Sequence, residues 1–152
     1  LVLSTLHTNS APEALTRLMN MGVAPFNIAT SVHLIIAQRL ARRLCDKCKK
    51  PINIPQETLL NMGFLEDELP TLKIYRAIGC DSCSGGYKGR VGIYQVMPIS
   101  PIMGRIVMDG GNSIDLADQA QKENILDLRQ SGLNKIRAGM TTLEEIERVT
   151  KD

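Results

Sequence analysis

The four cysteines of this 152-residue chain fall in two C-x2-C pairs, Cys45 and Cys48 in "LCDKCKKP" and Cys80 and Cys83 in "GCDSCSGG", with 31 residues between the pairs. A C-x2-C spacing lets one tight turn aim two sulfurs at a single point, and two such turns supply the four tetrahedral ligands that zinc prefers. Four thiolates leave no position for water, so the expected site is structural rather than catalytic. Closing the 31-residue loop costs about 3 kcal/mol, against about 10 to 16 kcal/mol from structural zinc binding in finger-like peptides. Arg42, Arg43, Lys47, Lys49, Lys50, Lys88 and Arg90 flank the two turns and favour thiolate over thiol. Two disulfides or a thioredoxin-like redox pair are competing readings, but nothing suggests an oxidising compartment and a redox motif needs only one pair. An iron–sulfur cluster held by four thiolates stays open on spacing alone.

The length fits one domain, or one domain with a small appendage, and is enough for a real apolar core. Hydrophobic residues make up 43% and charged residues 22%, as in ordinary globular chains. With three Tyr, two Phe and no Trp, aliphatic side chains must fill that core. A formal charge of +2 argues weakly for nucleic acid, and one zinc ion on four thiolates lowers it to zero. The longest apolar run, "SVHLIIA" at 31–37, is broken by His33 and followed by Gln38 and Arg39, far short of the roughly 20 residues that cross a bilayer. The chain opens on "LVLSTLHTNS" without an initiator Met or the parts of a signal peptide, which reads as a piece of a longer protein.

Around the cysteine insert the organisation is α/β. "LVLSTL" is a short apolar run suited to a buried strand, followed by a helix in "HTNSAPEALTRLMNMG". Ser10 and Glu13 match a capping box, Pro12 is tolerated in the first turn, Gly22 stands at the stop, and Leu15, Leu18 and Met19 form the buried stripe. "HTNS" then lies at a strand's carboxyl end, the edge where open α/β sheets bind ligands. A second helix is expected over about 27–37 with Ile28, Val32, Ile35 and Ile36 inward, while "QRLARRLC" suits either its continuation or a strand. Between the cysteine pairs there is room for one short helix at 55–62. "RVGIYQVMPI" reads as a strand with Val91, Ile93 and Val96 apolar. Four helices follow: one capped by Ser in "SPIMGRIVMDGG", one capped by Ser113, one ending near Gly139, and one opened by a Thr142/Glu145 capping box. The expected division is 1–44, a cysteine insertion at 45–90, and 91–152 with a strand and a helical subdomain.

Neither chemistry nor phosphate binding is complete in this stretch. No G-x4-G-K-[ST] occurs, and "GGYKGRVG" has glycines and lysine in the wrong order after a cysteine turn. By itself the chain therefore suits one alternative, a stand-alone zinc module that binds nucleic acid or protein, although stacking aromatics are scarce. His7 is the single histidine placed where a ligand could meet it; its bland reading is a side chain that bonds its own loop. His33, on an apolar helix face, is read as structural.

The segments "LVLSTLHTNSAPEALTRLMNMGVAPFNIATSVHLIIAQRLARRLCDKCKKP", "GCDSCSGGYKGRVGIYQVMPIS" and "GMTTLEEIERVT" together resemble, in order and over essentially the whole chain, the carboxyl-terminal part of bacterial type II/type IV secretion ATPases. Extension ATPases of type IV pili stand nearest, and type II secretion ATPases next. The resemblance implies the C-terminal portion of a RecA-like P-loop ATPase core, with a tetracysteine zinc-binding insertion and a helical C-terminal subdomain. It implies a cytoplasmic, hexameric motor, peripheral to the inner membrane, that hydrolyses ATP with Mg2+ and pushes on an inner-membrane platform protein to add pilin. "STLHTN" is similar to the family's His box, which would set His7 near the γ-phosphate with Thr5 and Thr8 on the same edge. Such a histidine can donate where charge develops on phosphate oxygens. Arg17 and Arg39, with Arg42 and Arg43, carry guanidinium forks suited to phosphate or to acidic side chains of a neighbouring subunit. In that family the phosphate loop and the acidic magnesium motif precede the His box, so this stretch alone is expected not to hydrolyse ATP.

Overall fold

The computed structural model describes residues 1–151 and shows a mixed α/β chain that divides into two compact units. One comprises 1–38 and 94–128, the other 39–93 and 129–151. The divisions expected at 44/45 and 90/91 both fall inside the second unit. Two strands belong to both units: β1 (Leu34–Leu44) and β4 (Tyr87–Pro98), which form a two-stranded sheet. The backbone N–H of Ile99 donates to His33 O at one end and that of Cys45 donates to Gly86 O at the other. The start of one strand therefore meets the end of its partner, as in an antiparallel pair.

In the first unit, α1 (Ala11–Asn20) begins where the capping residues require. Ser10 Oγ accepts from the Glu13 N–H at 3.4 Å, and Gly22, at φ +89°, ends the helix. The Glu13 carboxylate reaches the Asn9 N–H at 3.2 Å, one residue earlier than a reciprocal box would send it. Ala11, Ala14 and Leu15 are the buried apolar residues of its inner face with Pro12, whereas Leu18 and Met19 are only half-buried. The helix α2 (Pro25–Ser31) is shorter than expected. Val32 adopts extended backbone, and the run 34–44 becomes β1. A β-branched stretch such as Val32, Ile35 and Ile36 loses rotamer freedom in a helix but fits a pleated strand. Ile28 is buried in α2, and His33 is exposed just before β1 rather than on a helix face. Helix α4 (Pro101–Met108) packs on α2, and a β-carbon at Gly104 would stand 3.7 Å from Ala29 Cβ. Ser100 caps it, its Oγ accepting the Met103 N–H at 3.1 Å. Helix α5 (Ser113–Lys122) is capped by Asn112, not Ser113: Asn112 Oδ1 accepts from Ile114 and Asp115, and Asp115 returns a bond to the Asn112 N–H. Leu15, Ile28, Met97, Met103, Val107 and Leu116 form the core of this unit.

Residues 1–6, expected as a buried strand, belong to no strand, and Leu1, Val2 and Leu3 are exposed. A strand needs a neighbouring ladder. β1 and β4 pair only with each other, so among the described residues no sheet edge receives this run.

The second unit holds the cysteine turns. Between them lie β2 (Lys50–Ile52), α3 (Gln56–Met62), a 3₁₀ turn (Glu66–Glu68) and β3 (Ile74–Arg76). β2 and β3 pair antiparallel in the register Lys50 with Arg76, Pro51 with Tyr75 and Ile52 with Ile74. Leu59, Met62, Phe64 and Ile74 make a small core of this lobe. Helices α6 (Leu128–Arg137) and α7 (Leu143–Thr150) bury Leu133, Ile136, Leu143 and Ile146. β4 alternates as a half-buried strand should, with Val91, Ile93, Gln95 and Met97 inward and Val96 outward. No helix among the described residues is long and apolar enough to cross a membrane.

Candidate functional site

Cys45 follows β1 and opens a tight turn in which the backbone N–H groups of Cys48 and Lys49 both return to Cys45 O. A second turn, with Cys83 N donating to Cys80 O, presents the other pair. The four sulfurs converge: Cys45 and Cys80 Sγ are 3.9 Å apart, Cys48 and Cys83 3.7 Å, Cys80 and Cys83 3.6 Å, and all lie within 4.8 Å of one another. A tetrahedron with zinc–sulfur bonds of about 2.3 Å has edges of about 3.8 Å, so this cage fits a single tetrahedral ion. All four cysteines are free thiols. Backbone donors surround the cage, Gly79 N–H to Cys48 Sγ at 3.4 Å and Cys80 N–H to Cys83 Sγ at 3.3 Å, and such bonds orient and stabilise thiolate ligands.

As free thiols the four hold their protons unevenly. Burial opposes the Cys83 thiolate, but the Cys80 and Gly86 N–H groups and the Cys80 and Cys48 thiols outweigh it and bring its pKa down to about 7. Cys48 accepts the Gly79 N–H, which favours its thiolate, yet burial and the other three sulfurs push it up to about 11. A divalent ion bound here would replace this proton sharing by taking all four as thiolates.

Several of the cations expected to crowd the cage are committed elsewhere. Arg43 and Lys49 both pair with Asp46, at 3.0 and 2.9 Å, and hold its carboxyl below the usual range, Lys49 foremost. Lys49 Nζ also donates to Gly139 O at 2.9 Å, and Lys47 Nζ to Ser82 Oγ at 3.2 Å. The cage is tied to α6 and α7 by a polar seam. Leu44 N–H donates to Met140 O at 2.8 Å, Thr141 Oγ1 to Arg42 O at 2.9 Å, and Tyr87 and Thr142 share a hydroxyl contact of 2.9 Å. Arg42 stacks over the Tyr87 ring at 4.2 Å. The Thr142 cap forms, with Oγ1 accepting the Glu145 N–H at 3.3 Å, but the Glu145 carboxylate leaves the expected box for Arg42 and Arg148.

In the first unit an open groove is lined by His7, Thr8, Asn9, Glu13, Thr16, Arg17, Asn20 and Ser113. It brings together His7, Thr8 and Arg17 from the expected nucleotide set. Thr5 lies outside it and is exposed, and Arg39, half-buried on β1, belongs to the second unit. Thr8 Oγ1 donates to Ser10 O at 3.2 Å. Behind the loop sits Gln95, 3% exposed, whose Oε1 accepts the Ala11 N–H at 3.0 Å. Sequence reasoning passed over Gln95, although one polar residue among inward positions 91, 93, 95 and 97 of a strand was a visible sign that a buried partner was needed. Glu145 was seen only as a cap; its partner on β1 is 103 positions away and left no local trace.

The Type II/IV secretion system protein family matches residues 1–148. Relatives include the Type IV pilus assembly ATPase PilB of Pseudomonas aeruginosa, 62% identical over 152 residues and 100% of this chain. The corresponding ATPase PilB of Acinetobacter baylyi is 56% identical over 154 residues, again with the whole chain covered. The Type II secretion system protein E of Dickeya dadantii is 40% identical over 153 residues. The chain spans 27% of the length of the first two and 30% of the third. With identity of this extent along its whole length and four cysteines gathered for one metal ion, the chain belongs to the type II/IV secretion system protein family.

Proposed function

We propose that this chain is the C-terminal part of a RecA-like motor ATPase that powers type IV pilus assembly by hydrolysing MgATP. The observation that carries the reading is the 62% and 56% identity to pilus assembly ATPases over the full chain, against 40% to a type II secretion protein. In this reading residues 45–90 are a zinc-binding insertion between core segments 1–44 and 91–152. Cys45, Cys48, Cys80 and Cys83 bind one zinc ion, and with every ligand position filled by sulfur the metal fixes the lobe rather than performing chemistry. His7 donates toward the γ-phosphate oxygens as charge develops there, with Thr5 and Thr8 on the same edge. The shared groove of His7, Thr8 and Arg17 supports grouping these three. Arg39 is assigned to phosphate or to an acidic residue of an adjacent subunit. The parent protein would work as a hexamer at the cytoplasmic face of the inner membrane, against the pilus platform protein.

The test is His7→Ala in the full-length ATPase. Turnover is expected to fall on the order of 100-fold with nucleotide binding retained, and pili to be lost from cells that carry the variant alone. Unchanged turnover would remove His7 from the chemistry, and normal piliation with failed type II secretion would reassign the cargo. The 152 residues alone, which lack a phosphate loop, are expected to give no hydrolysis.

A further inference from the structure

We infer that Gln95 is a positioning residue for His7, acting through the backbone that joins the His7 loop to α1. The inference rests on the reading of His7 as a phosphate-side donor. The first turn of α1 leaves N–H groups without intrahelical partners, and three helical positions show how the turn deals with them. Ala11 donates to Gln95 Oε1 at 3.0 Å, Pro12 has no N–H, and Glu13 donates to Ser10 Oγ. Asn9 N–H is held by Glu13 Oε2 and Thr8 Oγ1 donates to Ser10 O, so Thr8, Asn9, Ser10 and Glu13 form one hydrogen-bonded unit around the Ala11 N–H. The Ala11 bond ties that unit to another element, and it crosses 84 positions of chain to the buried face of β4.

Gln95 occupies a position that Val91, Ile93 and Met97 show to be an apolar one. A buried amide among apolar neighbours persists at a cost unless it is bonded, and here its oxygen sets how far the start of α1 stands from the strand. Loss of the acceptor leaves the Ala11 N–H buried and unsatisfied. The loop can relieve this only by moving, which displaces His7. Misplacement of a reacting group by about 1 Å can cost on the order of 100-fold in rate.

The experiment is a cycle in the full-length ATPase with His7→Ala, Gln95→Met and the double variant, and with Gln95→Glu as the conservative control. Gln95→Met is expected to lower kcat about tenfold while KM for ATP stays within about twofold, as for a loss confined to the transition state. In the His7→Ala background it should lower kcat no further. Gln95→Glu should keep near-normal turnover, because a carboxylate oxygen accepts the same N–H and is favoured at a helix N-terminus. If Gln95→Met does not fold, Gln95→Ser, too short to reach Ala11, carries the same test. An equal loss in both backgrounds makes Gln95 merely structural and overturns the inference, as does an unchanged kcat for Gln95→Met. A His7→Ala enzyme with normal turnover overturns the His7 reading itself, and the positioning role with it.

Discussion

The carboxylate of Glu145 on α7, 1% exposed, takes three hydrogen bonds from Arg42 on β1: the backbone N–H at 2.8 Å, Nε at 2.9 Å and Nη2 at 2.6 Å. Arg148 adds a second fork, at 3.0 and 2.9 Å. One side chain thus fixes the last strand residues before Cys45 against the C-terminal helix. The hydrogen bonds from Arg148 lead, burial opposes them, Arg42 adds side-chain and backbone donors, and the Glu145 carboxyl is held at about 2.

Stability should therefore depend on acid in a defined window. The folded pKa is depressed, so the contribution of Glu145 is full above its unfolded value near 4.5 and is lost as pH falls toward 2. Linkage sets its size at about 2 to 3 kcal/mol after screening of the half-exposed guanidiniums. Urea unfolding at pH 6 should show Glu145→Gln less stable by about that amount, with the gap narrowing through pH 4 and closing only as pH approaches 2. A constant gap would show that the carboxylate charge is not the cause.

Metal removal should dissolve the cysteine lobe first. Elemental analysis is expected to return one zinc per chain, and Cys48→Ser or a strong chelator should abolish amide protection over β2, β3 and the two turns. Zinc affinity should weaken steadily as pH is lowered, because the metal takes all four sulfurs as thiolates and protons compete for each of them. A folded, fully protected sample without metal would contradict the structural role.

Gly86 sits at φ +90°, and a β-carbon there would come within 2.6 Å of Ala77 Cβ and 2.7 Å of the Ile78 N. Its carbonyl accepts the Cys45 N–H. Gly86→Ala combines backbone strain with a clash against main chain, and a loss of at least about 2 kcal/mol is expected. Thermal unfolding and competitive zinc titration should both register it, the second because the two cysteine turns are joined at this bond.

Helix α6 approaches α7 at Gly132, where a β-carbon would lie 2.8 Å from Ile146 Cγ2 and 3.0 Å from Cδ1. Gly132→Ala should therefore cost about 1 kcal/mol despite its better helix propensity. Ile146→Val made in the alanine background should recover part of the loss instead of adding to it. Additive losses in a denaturation cycle would exclude this contact as the cause.

The cap of α5 offers a direct comparison. Asn112→Ala should destabilise by about 1 kcal/mol and Ser113→Ala by a few tenths at most, as chemical denaturation can resolve. The reverse order would restore Ser113 as the cap.

What the sequence determined by itself was local. Two C-x2-C turns, the Ser10, Ser100 and Thr142 caps, the short helix ending at Gly63 and the alternating burial in β4 depend on residues a few positions apart, so their chemistry is legible along the chain. Tertiary structure decided what depends on a distant partner. The run 34–44 became a strand because β4 supplied a ladder, and residues 1–6 did not because no strand among the described residues offers them one. Glu145 abandoned a reciprocal cap for Arg42, and Gln95 found Ala11. A buried charge or amide takes whichever donor the fold brings near, and that choice is a property of three-dimensional proximity that no local pattern encodes.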